Sequence, residues 1–201
     1  MKKLIFIFVL LSCFAEAFAE TGYDGTEWGT KRNRLEFSQN AETLKENNFE
    51  IVTFPAVVLG RSSLKSYLFQ DQELDGVTYS FIISDLPELL KKFENKKKVC
   101  EVSIKIDYSE DLEYIIKNTE LPEYTKQEDG ILAFKLVMTH SMSWELSKMI
   151  ESKGYKSLES NKQAKEKLFI YDYNSNTRAY IFTGGMTGVG TVVYVPHSQD
   201  Y

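Results

Sequence analysis

The chain reads as an α+β fold: a largely antiparallel sheet of about seven or eight strands with helices packed on one face. Three observations lead there. Strand-like runs follow one another across short turns, between residues 57 and 83 and again between 167 and 195, and short turns force antiparallel pairing. Within those runs apolar and polar residues alternate: Val77, Tyr79, Phe81 and Ile83 point one way, Thr78, Ser80 and Ser84 the other, with Ile82 the exception. Helical stripes intervene without the strict alternation that a parallel sheet needs.

Residues 1–19 read as a secretory signal: Met1-Lys2-Lys3 is positive, an apolar run follows, and Ala17-Phe18-Ala19 gives a small-x-small site with cleavage after Ala19. The run is shorter than a membrane-spanning helix and Glu16 interrupts it. Leu10-Leu11-Ser12-Cys13 offers an alternative, in which Cys13 is acylated and tethers the chain to a membrane. The expectation is therefore an exported protein, periplasmic or secreted, or else a lipoprotein. In either case Cys100 has no intrachain partner and the fold must rest on its core.

Residues 20–34, with Gly22, Gly25 and Gly29, are expected to form an extended, partly flexible entry segment with Trp28 folded back, ahead of one α+β domain over residues 35–201. A helix is expected within 35–48, with Ala41 and Leu44 inward. Residues 49–59 read as an edge strand or a broken one because of Pro55. The hairpin within 57–83 takes its turn chemistry from Asp75-Gly76. Ser84 or Asp85 then caps a helix whose Leu86, Leu89, Leu90 and Phe93 make one apolar stripe, with Pro87 in its first turn.

Residues 99–108 read as a strand, Ser109 as the cap of a short helix, and residues 118–130 as a polar loop. Residues 131–140 read as a strand, with Leu132, Phe134, Leu136 and Met138 on one side. A helix over 144–153 follows, capped by Ser141 or Ser143 and closed by Gly154, and then a loop over 155–166. Strands over 167–173, 178–183 and 191–195 finish the chain as a meander, the Gly-rich segment 184–190 forming a flexible hairpin loop. A weak echo relates residues 69–81 to 170–182 through Asp71 and Asp172, Tyr79 and Tyr180, and Phe81 and Phe182. It hints at duplicated helix-hairpin units.

The formal net charge is −5, and −6 once Lys2, Lys3 and Glu16 are removed. That balance disfavours nucleic acid and anionic lipid as partners. Lys91, Lys92 and Lys96 to Lys98 read as a solvated helix end. No cofactor or metal motif is present: the glycines of 184–190 lack phosphate-loop spacing, and His140 and His197 stand far apart. Cys100 reads as a small buried hydrophobe rather than a nucleophile. The candidate partner surface is a Tyr-rich face of the last strands, formed by Tyr171, Tyr173, Tyr180 and Tyr194. The functional expectation is thus a non-catalytic binding or structural module acting on a protein partner of a bacterial envelope. The alternatives are a hydrolase that uses His140 or His197 and a small-ligand-binding protein.

Overall fold

The computed structural model describes residues 22–37, 40–126, 129–155, 158 and 163–197. The expected cleavage at Ala19 and lipidation at Cys13 fall outside the described residues. Ten strands are labelled in chain order: β1 (Gly22–Tyr23), β2 (Thr26–Glu27), β3 (Glu42–Glu46), β4 (Phe49–Val58), β5 (Arg61–Gln70), β6 (Glu73–Ile82), β7 (Lys97–Ser103), β8 (Lys167–Asn174), β9 (Thr177–Met186) and β10 (Val189–Pro196). The helices are α1 (Leu86–Lys91), α2 (Ser109–Asn118) and α3 (Gly130–Lys153).

Strands β3 to β10 form one eight-stranded sheet in the order β3-β4-β5-β6-β10-β9-β8-β7. All its neighbours pair antiparallel, so it consists of two four-stranded meanders joined where β6 meets β10. The α+β class follows directly. Both hairpins of the sequence echo exist, but Asp71 lies in the β5–β6 turn while Asp172 lies within β8, opposite Arg178, so the echoed residues are out of structural register.

Both faces of the sheet are buried. On one face Leu68, Leu168, Ile170, Tyr180, Phe182, Val193 and Val195 pack beneath α3, which contributes Val137, Trp144 and Ile150. On the other, Tyr79, Phe81, Phe169, Tyr171, Ala179, Ile181, Val192 and Tyr194 pack beneath Leu89 of α1, Phe93, and the β1–β2 hairpin with its Tyr23 and Trp28. The helices are therefore divided between the faces. This is why β9 and β10 read as nearly continuous apolar runs rather than alternating ones.

Several local expectations are corrected. Residues 131–140 are the first half of α3, a 24-residue helix. Its inward positions are Phe134, Val137, Ser141 and Trp144, at helical spacing, together with His140, Ser143 and Ser147. Polar residues on the buried face and exposed Leu132 and Met149 on the outer face disguise the helical period. Ser141 and Ser143 thus lie mid-helix and cap nothing. Residues within 35–48 supply β3, not a helix; Glu42, Lys45 and Glu46 suit an open sheet edge, while Leu44 packs inward.

The β5–β6 turn is Asp71-Gln72, both at positive φ (52° and 66°), and the Asp71 amide donates to the Asn48 carbonyl at 2.8 Å. Asp75 and Gly76 lie inside β6 instead. A Cβ on Gly76 would sit 2.5 Å from the Trp144 indole, so the glycine admits that ring to the sheet rather than making a turn. Residues 184–186 and 189–190 extend β9 and β10, leaving only Thr187-Gly188 to turn.

The expected caps are replaced as well. Asp107 accepts from the Ser109 amide at 3.0 Å and from its hydroxyl at 2.6 Å, and Asp85 pairs with Arg61 at 2.7 Å rather than capping α1. Residues 22–34, expected as an entry segment, fold as the β1–β2 hairpin and a short 3₁₀ turn. Trp28 is held as the sequence suggests, its Nε1 donating to Thr177 Oγ1 at 2.9 Å.

Candidate functional site

Three polar constellations are built on this sheet, and their partners separate structure from function.

The first is His140. Its side chain is fully buried between α3 and the sheet. Nδ1 meets Ser66 Oγ at 2.8 Å and Nε2 meets Ser80 Oγ at 2.7 Å; Ser66 Oγ in turn meets Thr53 Oγ1 at 2.7 Å. One hydrogen-bonded chain therefore runs from β4 through β5 and α3 to β6. A neutral imidazole, one nitrogen donating and one accepting, satisfies both serines. Burial lowers the His140 pKa to about 3, so the ring stays neutral. Without access for substrate and without a carboxylate behind it, this Ser–His arrangement is a structural pin between helix and sheet.

The second lies at the C-terminal end of α3. The Arg178 guanidinium donates to Asp172 (3.0 and 3.2 Å) and to Glu151 Oε1 (3.3 Å). Tyr180 donates its hydroxyl to the same Glu151 oxygen. His197 Nε2 lies 2.7 Å from Arg178 Nη2, and its Nδ1 lies 2.8 Å from Glu151 Oε2. Arginine can only donate, so Nε2 accepts and the ring proton sits on Nδ1, donating to Glu151. Lys97 pairs with Asp172 at 3.1 Å, so two cations face the two carboxylates, and both ring nitrogens are taken. This cluster clamps β8, β9 and the end of β10 to α3.

The third is a cleft on the opposite face. Tyr23, Tyr79, Tyr173 and Tyr194 line it together with Lys65, Lys92, Lys96, Asp24 and the β4 residues Ala56 to Val58, enclosing ≈ 380 Å³. The rings are mutually packed: centroids lie 4.0 Å apart for Tyr23 and Tyr194, 4.9 Å for Tyr173 and Tyr194, and 5.9 Å for Tyr23 and Tyr173. The Tyr79 and Tyr194 hydroxyls approach to 3.4 Å. Burial is the main cause that raises the pKa values of Tyr23 and Tyr194 and brings Tyr79 to about 12, so all three hydroxyls remain donors at neutral pH.

Local structure supplies the lysines. Successive tight turns after α1 (Lys92 amide to Leu89, Phe93 to Leu90, Lys96 to Phe93) bury Phe93 and leave Lys92 and Lys96 over the cleft. Lys96 Nζ lies 4.4 Å from the Tyr173 ring centre. Lys65 shares a β5 face with Tyr67 and stands 5.1 Å from the Tyr23 ring and 5.2 Å from Tyr67. Its side chain is only 15% exposed, and its carboxylate contact is Asp24, at 3.4 Å and itself 70% exposed. Among the described residues Lys92 and Lys96 have no carboxylate partner. Three lysines against one aspartate thus face a cavity in an acidic chain.

The structure divides the four tyrosines read from the sequence. Tyr171, Tyr173 and Tyr194 belong to this face, whereas Tyr180 points beneath α3 to Glu151. Alternation explains the split: Tyr180 pairs with Ile170 and Val193, on the opposite pleat from Tyr171 and Tyr194. Tyr171 is buried against Phe93, Tyr194 forms part of the cleft wall, and Tyr173 is half-buried beside Lys96. Sequence reasoning missed Tyr23, Tyr79, Lys65, Lys92 and Lys96. The readable signal was Lys65, a cation two residues from Tyr67 and four from Phe69 on the same β5 face.

Cys100 is half-buried and its thiol is raised by burial and then by Glu101, which makes it a poor nucleophile. Among the described residues no group of three or more His, Cys, Asp or Glu side chains could hold a metal ion, and no helix is long and apolar enough to cross a membrane. No protein-family model, curated protein or solved structure matches this chain.

Proposed function

We propose that this protein is an exported, non-catalytic binding module of a bacterial envelope that holds a protein partner at the mouth of the Tyr–Lys cleft. The N-terminal sequence supports export. The observation that carries the binding reading is Lys65: a side chain only 15% exposed, its ammonium near aromatic rings, whose carboxylate contact is long and solvent-exposed. A cation so placed is costly to fold around unless something compensates it. The two other constellations speak for structure, because each of their histidines has both ring nitrogens occupied within the fold.

The test is site-specific photo-crosslinking in the native host, followed by mass spectrometry of the purified adduct. Val57, 76% exposed on the rim of the cleft, carries the photoreactive side chain; Tyr114, 70% exposed on α2, carries the control. One discrete protein adduct from position 57 and none from 114 is expected. Adducts from both positions, or from neither, would remove the reading. The same spectra report the start of the chain: residue 20 for plain cleavage, an acylated Cys13 for a lipoprotein.

A further inference from the structure

We infer that the group this cleft receives is a carboxylate, carried on an acidic side chain of the partner; the inference rests on the binding reading above. The cleft itself shows what Lys65 accepts. Asp24 sits in the β1–β2 turn at φ +54°, followed by Gly25 at φ +76°, a pairing that suits a two-residue hairpin turn. The turn holds the Asp24 carboxylate at 3.4 Å from Lys65, beyond the distance of a good charge-assisted bond, with most of Asp24 in water. Asp24 is thus a loose internal occupant. An incoming carboxylate displaces it at Lys65 and gains what Asp24 does not contact.

Those further gains lie across the cleft. Lys96 stands over the Tyr173 ring and Lys65 over the Tyr23 ring, and the two rings pack against each other at 5.9 Å, tilted by 47°. An anion seated in the cleft beside the packed rings meets the ammonium groups of Lys65 and Lys96, with Lys92 also lining the space. The tyrosines bring hydroxyl donors with raised pKa values and no negative charge of their own. At ≈ 380 Å³ the space suits a side chain or two, not a helix. A cationic or neutral group would leave the lysines uncompensated.

Two consequences follow, of opposite sign. Removing Lys65 weakens acid binding, whereas removing the Asp24 charge strengthens it, because the ligand no longer competes with an internal carboxylate. The experiment uses the mature chain purified from its host, titrated with N-acetyl-triglutamate amide, N-acetyl-triglutamine amide and inorganic phosphate, and read by NMR at Lys65, Lys96 and Tyr173 and by calorimetry. The glutamate peptide is expected to bind at these residues and to weaken with added salt. Its dissociation constant rises about tenfold in Lys65→Met, the size of one charge-assisted hydrogen bond, and falls severalfold in Asp24→Asn.

Lys96→Met, in the connection after α1 and outside the sheet, gives the same loss should Lys65→Met fail to fold. Equal binding of the glutamine peptide, tighter binding of phosphate at the same residues, or weaker binding by Asp24→Asn would each overturn the carboxylate assignment. Rim crosslinking at Val57 that persists alongside such a result removes the carboxylate alone; loss of both removes the binding reading with it.

Discussion

Replacing His140 by leucine tests whether the buried Ser–His–Ser chain holds α3 to the sheet. At pH 7 the variant loses two side-chain hydrogen bonds, about 1 kcal/mol each. Ser66 keeps Thr53 as a partner, but Ser80 Oγ is left buried, because Ser63 bonds the Ser80 carbonyl and not its hydroxyl. An orphaned buried hydroxyl costs about 1–3 kcal/mol. Allowing for overlap between these terms, the expected destabilisation is about 3 kcal/mol. The pH dependence is the sharper reading. Burial holds the folded-state pKa of His140 at about 3, while the unfolded imidazole titrates near 6.5. Below pH 6.5 the unfolded state takes up a proton that the folded state refuses, so the stabilisation is full above that pH and is lost as the pH falls towards 3. At pH 5 the wild-type chain forfeits about 2 kcal/mol through this group; His140→Leu forfeits nothing through it. The gap between the two proteins should therefore shrink from about 3 kcal/mol at pH 7 to about 1 kcal/mol at pH 5. Urea denaturation at both pH values measures it, the carboxylates and His197 cancelling in the difference. A gap that is unchanged or wider at pH 5 would show that His140 is not held neutral by this burial.

Two further outcomes probe the frame around it. Gly76→Ala drives a Cβ to within 2.7 Å of two Trp144 ring atoms, so the indole must leave its bond to the Asp75 carbonyl and its stack on Phe49; a loss of about 1–3 kcal/mol is expected, with red-shifted Trp fluorescence, and an unchanged melting temperature would contradict it. Glu151→Ala removes the acceptor shared by Tyr180, Arg178 and His197 while Asp172 still holds Arg178; thermal denaturation should report a loss of about 2–4 kcal/mol, the Tyr180 hydroxyl being left without its partner.

The legible parts of the fold were those in which one physical signal acted alone. The stripe Leu86, Leu89, Leu90 and Phe93 predicts α1 because its buried face is purely apolar. The C-terminal meander is readable because β8, β9 and β10 are rich in β-branched and aromatic residues and their turns are short. The failures share a cause as well. In α3, His140, Ser143 and Ser147 face inward and Leu132 faces out, so the apolar residues that remain alternate like a strand. His140 is buried against partners in β5 and β6, Ser66 and Ser80, far away in sequence, which no local period can report. Gly76 was misread for a related reason. Glycine marks either positive φ or a close approach, and only the position of Trp144 tells which. The turn itself fell on Asp71-Gln72, a pair with no glycine to announce it.

The same contrast separates the two faces of the sheet functionally. Beneath α3 the buried histidine has its hydrogen bonds supplied from within the chain: Ser66 and Ser80 for His140. At the edge of that face Glu151 gathers Arg178, Tyr180 and His197 in the same way. Groups so completely answered have little left to offer a ligand without first breaking the fold, and their removal should be read out as stability. On the opposite face the aromatic rings of Tyr23, Tyr79, Tyr173 and Tyr194 support one another, while Lys65 is left with a long contact to an exposed aspartate. Its removal costs the fold little electrostatically, since a desolvated cation with a weak partner contributes little net stability. A position whose substitution spares stability and yet weakens capture is the signature expected of a binding residue. Lys65→Met should show that signature, and His140→Leu the reverse.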